Sequence, residues 1–135
     1  MQLVVVTPTR EVLNENVDAV SAPGIDGEFG ALPHHTHFVT TMKAGALTYI
    51  KGGQAYQIAI AWGFVEVEAN RVIVLAQKAE LEQEIDIARA EDQKARAIEQ
   101  MRKVHIGTPD YEKAKRTMQK AEARLAVASR IRTRS

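Results

Sequence analysis

Ala46-Leu47-Thr48-Tyr49-Ile50, then Lys51-Gly52-Gly53-Gln54, then Ala55-Tyr56-Gln57-Ile58-Ala59-Ile60-Ala61: two β-rich runs flank a pair of glycines. Paired glycines between such runs signal the tight turn of an antiparallel hairpin. The same grammar continues on both sides. Downstream, residues 64–68 and 72–75 flank Ala69-Asn70-Arg71, where Asn70 is expected at positive φ in a second tight turn. Upstream, residues 17–22 alternate with period two before Pro23-Gly24, and the apolar run 3–6 is closed by Pro8. Short strands at this spacing with no helix between them predict an antiparallel β-sandwich or barrel. About eighty residues build a small core, and small cores are marginal without staples or partners, which points to work inside an assembly.

The pattern changes near Glu80. From there to Val104 the chain is rich in Ala, Glu, Gln, Lys and Arg, strong helix formers, with Asp86 placed as an N-cap. Val104-His105-Ile106-Gly107-Thr108-Pro109-Asp110 breaks the helix. Gly107 suits a helix C′ position, Thr108 an N-cap and Pro109 the first position of a second helix. That helix carries a 3-4-3-4-3 seam of Tyr111, Ala114, Met118, Ala121, Leu125 and Ala128, and the first a thinner stripe of Ile87, Ala90, Ile98 and Met101. The short connection predicts an antiparallel two-helix hairpin. The expected organisation is therefore β + α: a sandwich over 1–84 and a helical hairpin over 85–135. Alanine buries little area, so the hairpin is expected to be weakly held: it either opens and docks elsewhere or stays packed on the sandwich.

The chain has 135 residues and a net charge of +1, with no cysteine. A disulfide framework and thiol chemistry are thereby excluded. Residues 1–84 hold five Lys/Arg against ten Asp/Glu, whereas 85–135 hold thirteen against seven. That asymmetry is read either as a surface for an anionic partner or as a solvated basic helix face. The N-terminal apolar run is too short for a signal peptide, and no stretch approaches the ~18 apolar residues of a membrane span.

Signals for catalysis are poor. There is no phosphate loop, no dinucleotide fingerprint and no helical His-Glu-x-x-His. Ser21, Ser129 and Ser135 lack a nucleophile-elbow context. His34-His35-Thr36-His37 is the one metal-like cluster, but no further ligand is identifiable and no metal is expected. Glu66 and Glu68 lie on one strand face and read as solvated carboxylates.

Pro23-Gly24-Ile25-Asp26-Gly27-Glu28-Phe29-Gly30-Ala31-Leu32-Pro33-His34-His35 resembles a signature of the epsilon subunit of the proton-translocating ATP synthase. Gly63-Phe64-Val65-Glu66-Val67 and Val72-Ile73-Val74-Leu75-Ala76-Gln77-Lys78-Ala79-Glu80 look like two of its strands, and Pro109-Asp110-Tyr111 with Ala123-Arg124-Leu125-Ala126-Val127 continue the match. Four blocks in register cover nearly the whole chain. The resemblance implies a non-catalytic subunit, peripheral on the cytoplasmic side of the bacterial membrane. Such a subunit would couple the catalytic head to the proton-driven ring and inhibit ATP hydrolysis through its C-terminal helices. The implied partners are the gamma subunit of the central stalk, the ring of membrane c subunits, and the alpha/beta head when the helices extend; no nucleic acid is expected. A rigid Gly-rich loop would present Glu28 and His35 to the ring. The family often has Gly where this chain has Trp62, whose indole is expected to fill the sandwich or meet the stalk, too far from the helices to report on them.

Ile85-Asp86-Ile87-Ala88-Arg89-Ala90 also looks like the motif with which some bacterial epsilon subunits bind ATP. The implied set is Glu80, Ile85, Asp86, Arg89, Ala90, Arg96, Lys120 and Arg124, with Lys120 standing where that site has arginine. Asp86 would accept from the adenine amino group or simply cap the helix; the cations would neutralise phosphates. No cofactor is required, and ATP would be a regulatory ligand that is not hydrolysed. The alternative reading is a stand-alone ATP-sensing module.

Overall fold

The computed structural model describes residues 1–25, 27–31 and 37–134. Eight strands come first: β1 (Gln2–Val6), β2 (Glu11–Asn16), β3 (Ala19–Gly24), β4 (Gly27–Ala31), β5 (Phe38–Met42), β6 (Gly45–Lys51), β7 (Gln54–Glu68) and β8 (Arg71–Leu81). A 3-10 turn, Glu82–Glu84, leads into α1 (Ile87–Lys103) and α2 (Pro109–Arg134). The β + α architecture expected from the pattern is the one observed.

The glycine pair makes the predicted turn. Lys51 pairs with Gln54 across Gly52 and Gly53, whose φ angles are 58° and 78°. The second turn differs from expectation. Glu68 pairs with Arg71 across Ala69 and Asn70, yet Trp62 is the only non-glycine at positive φ among the described residues, so Asn70 does not use the left-handed region. Residues 55–61 and 64–68, read as separate strands, form one long β7.

The reason is a switch of layers. In the first part of β7, Ile58 and Ile60 face the core; in the second part Val65 and Val67 do. On β8 the inward set changes from Val72, Val74 and Ala76 to Ala79. The two strands stay in register, but the pairing skips Trp62 and Gln77. Changing face parity on both strands at one level carries the pair from one sheet to the other, a corner of the kind sandwiches use. One sheet holds β2, β1, the early half of β8, the late half of β7, and β5. The other holds the late half of β8, the early half of β7, β6, β3 and β4. Gly63, at φ 153°, makes the corner possible: a Cβ there would collide with the Leu75 carbonyl.

Trp62 carries the strain of the corner. Its φ of 46° is the left-handed region, which costs an L-residue about 1–2 kcal/mol. The indole neither fills the sandwich nor lies far from the helices, for the Arg116 guanidinium of α2 sits 4.0 Å from the ring centroid. Such a cation–π contact is worth ~0.5–2 kcal/mol. We predict that Trp62→Gly affects the helices and spares the sandwich. The sandwich keeps its melting temperature, because relief of the φ strain offsets the added freedom of the unfolded chain. The helices exchange their amide hydrogens several-fold faster, as they do in Arg116→Gln. Equal destabilisation of strands and helices in hydrogen exchange would refute this division.

The segment between the two parts is pinned twice. Gln57 N–H donates to Glu82 at 2.6 Å, and Arg10 forks onto Glu84 with contacts of 2.9 and 2.8 Å. Those Arg10 hydrogen bonds hold the Glu84 carboxyl below the usual carboxylate range. Asp86 then caps α1, its side chain accepting from Arg89 N–H at 3.0 Å. α1 stops at Lys103 with an extended Val104, so Gly107 is not the C′ residue expected. At φ 89° it turns the connection instead. Thr108 caps α2 as predicted, accepting from Tyr111 N–H at 3.2 Å.

The helix seam is mostly as read. Ala90, Ala114, Ala121 and Ala128 are buried, and Ala97, absent from the predicted stripe, joins them. α2 buries a second face, with Ala123 and Val127, and so lies between α1 and the β6–β7 sheet. Helical period alone did not separate these two faces.

Candidate functional site

A cleft of about 440 Å³ opens where α1 and α2 meet the β7–β8 sheet. That is within the range of small-ligand sites. Ala59 and Ala61 of β7 supply small side chains to its lining. Both are buried, on the strand face opposite Ile58 and Ile60, and bulkier residues would close the space.

Arg124 is the organising side chain. It comes from α2 and is only 16% exposed. Its Nε lies 2.6 Å from Glu80 Oε1 as an ion pair, though that N–H is not aligned for a hydrogen bond. One terminal nitrogen donates to Glu80 Oε2 at 3.4 Å and the other to Gln93 Oε1 at 2.7 Å. One guanidinium thus ties together β8, α1 and α2. Lys94 and Glu122 add a looser pair between the helices at 3.7 Å.

Four of the expected nucleotide residues, Glu80, Arg89, Lys120 and Arg124, line this cleft together. Among the described residues Glu80 is its only acid. Arg96 is not with them. It is 81% exposed, paired to Asp92 at 3.0 Å, and borders a neighbouring hollow of about 470 Å³ between the helices. Gln93 and Thr117 border both spaces, so Arg96 stands next to the cleft rather than in it. Asp86 is exposed and engaged as the cap; Ile85 is half-buried in the linker; Ala90 is fully buried and lets the helices approach. Lys78 and Gln93 also line the cleft and were not anticipated. The available signal for Lys78 was its place two residues before Glu80, on the same strand face.

Glu28 lies exposed on β4, where it accepts a hydrogen bond from the Ser21 hydroxyl. Within the Gly-rich stretch, Pro23, Gly24 and Gly27–Ala31 pair as part of a β3–β4 hairpin, with Gly27 at φ 130°; Asp26 and residues 32–35 lie outside the described residues. His35 falls outside the described residues, as do His34 and Thr36. His37 is described, and it lies beside Glu66 and Glu68, which remain partly solvated as expected. Its Nε2 is 3.3 Å from Glu66, and possible donor atoms of His37, Glu66 and Glu68 lie within 4.8 Å of one another. All three are at least partly exposed, and Glu68 is already paired with Arg71 at 3.2 Å.

A second feature faces the opposite way. Thr41, Phe64 and Leu75 are successive partners across β5, β7 and β8, and Val6 of β1 follows Leu75. Val39, Phe64 and Leu75 are 59%, 55% and 53% exposed. Val39 stands one row along, opposite Glu66. The helices cover the other sheet, so these exposed side chains form an apolar patch, bordered by Glu66, on the uncovered outer face. Clustered apolar exposure of this kind marks an interaction surface.

Compared with known families, residues 1–82 match the one described as ATP synthase, Delta/Epsilon chain, beta-sandwich domain. Residues 83–129 match the long alpha-helix domain of the same chain. The chain is 41% identical over 130 residues to ATP synthase epsilon chain 2 of Syntrophotalea carbinolica, covering 96% of this chain and 94% of that one. It is 42% identical over 134 residues to the ATP synthase epsilon chain of Herpetosiphon aurantiacus, covering 99% and 98%. Among solved structures it resembles a chain of the Euglena gracilis mitochondrial ATP synthase, OSCP/F1/c-ring assembly, with a TM-score of 0.79 at 22% identity. That alignment covers 94% of this chain and 79% of the other, and it is a likeness of fold.

Proposed function

This chain belongs to the ATP synthase delta/epsilon-chain family, as a non-catalytic epsilon-type subunit, and from that premise we propose how its two faces are used. The uncovered patch of Val39, Phe64 and Leu75 docks on the gamma subunit of the central stalk. The β3–β4 end, with Glu28, meets the ring of membrane c subunits, so that the chain couples head and ring from the cytoplasmic side of the membrane. The helical hairpin is the regulatory part. Docked, it encloses a nucleotide cleft; extended, its basic residues reach the alpha/beta head and slow ATP hydrolysis. ATP held between Arg89, Lys120 and Arg124 favours the docked form, by about 2.7 kcal/mol at a hundredfold excess over Kd.

The observation that carries this reading is the exposed apolar patch on the sheet that the chain's own helices leave open. A charge placed there desolvates badly against an apolar partner. Phe64→Glu with Leu75→Glu is therefore expected to abolish co-purification with gamma while the isolated chain keeps its melting temperature. Retained gamma binding by that variant would overturn the assignment of the face. The stand-alone module is favoured only by the cleft itself. It requires ATP-induced protection of the helices in a chain that binds no gamma at all, and one pull-down separates the two.

A further inference from the structure

Two contacts fix how α2 lies along the sheet. Arg124 meets Glu80, whose strand partner is Ala59. Arg116 lies over Trp62, at the layer switch. Lys120 is one helical turn from each. On the sheet, the position between those two levels is Ala61 with its partner Lys78. Lys78 and Lys120 therefore stand at one level on opposing walls, and both line the cleft.

Among the described residues neither lysine makes an ion pair, and neither does Arg89. Glu80, the single acid among the described residues that line the cleft, is engaged by Arg124. That leaves Lys78, Lys120 and Arg89 with no carboxylate of their own; Lys78 and Arg89 are exposed, so their mutual repulsion is screened by solvent and is strongest at low salt. An anion of several charges relieves it.

We propose that Lys78 is the sheet-borne half of a two-lysine phosphate clamp, with Lys120 as the helix-borne half. This rests on the nucleotide reading above and adds a residue from the sandwich to it. The consequence is mechanical. A polyphosphate held by both lysines ties α2 to β8, so its binding resists undocking of the hairpin.

The test is calorimetric titration of the full chain with ATP and, separately, with inorganic triphosphate, at low and raised salt. Lys78→Gln is expected to bind both about tenfold more weakly, with a shallower salt dependence. Lys78→Arg is expected to retain affinity, and the unliganded melting temperature is expected to stay unchanged in both variants. Wild-type affinity for both ligands in Lys78→Gln would overturn the clamp while leaving the ATP site standing. Lys78-dependent binding of triphosphate without binding of ATP would keep the clamp and remove the nucleotide reading. Binding of neither ligand by the wild-type chain would remove both.

Discussion

Gly63→Ala is expected to lower the melting temperature of the sandwich by ten degrees or more. The new Cβ would strike the Leu75 carbonyl and crowd the Ala76 backbone. Both are main-chain atoms of the paired strand, so no rotamer change relieves the clash. The φ of 153° is itself a region that side chains avoid. Relief requires β7 and β8 to separate where both cross between layers, next to core residues Val65 and Val74. A cost of about 3 kcal/mol follows, or roughly 10–20 °C for a domain of this size. Gly53→Ala is the control. Gly53 also has positive φ, 78°, but its Cβ would meet nothing within 4 Å, so only the backbone penalty of about 1 kcal/mol applies. Thermal melts in which the two variants fall together would show that the corner tolerates a side chain.

Residues whose chemistry is local were mostly legible in the sequence, with Asn70 and Gly107 the exceptions. The Gly52–Gly53 turn, the caps at Asp86 and Thr108, and the alanine seam each depend on neighbours a few residues away. What escaped depends on non-local pairing. β2 reads Glu-Val-Leu-Asn-Glu-Asn, without clean alternation, and β4 holds two glycines, which propensity counts against a strand. Both are strands because another strand supplies their hydrogen bonds. The layer switch was half visible: Trp62 stood out as a departure from the family resemblance, but only pairing with β8 reveals that the backbone there takes a glycine-like φ. The cleft divides similarly. The resemblance named Glu80, Arg89, Lys120 and Arg124, which the fold brings together. It also named Arg96, which the pitch of α1 turns onto Asp92, and it was silent on Lys78, whose relevance comes from the register of α2 against the sheet.

Arg124→Met tests what holds that register. The hairpin rests on alanines, so its apolar docking energy is small, and the half-buried Arg124 network is a large share of what remains. Removing the guanidinium strands the Glu80 carboxylate, 32% exposed, and leaves the Gln93 carbonyl without its donor. Between the values for exposed and buried pairs, a loss of about 1–3 kcal/mol in docking is expected. Hydrogen exchange should then quicken by about tenfold or more across α1 and α2, with the strands of the sandwich unchanged. Weaker ATP binding should accompany it. Glu80→Gln in the Arg124→Met background distinguishes the causes, since neutralising the stranded carboxylate should return part of the lost protection. If it returns none, the loss lies in the Gln93 bond and in packing. If Arg124→Met leaves helix exchange at the wild-type rate, the network carries no docking energy, and the Arg116–Trp62 contact with the alanine faces must hold the hairpin alone.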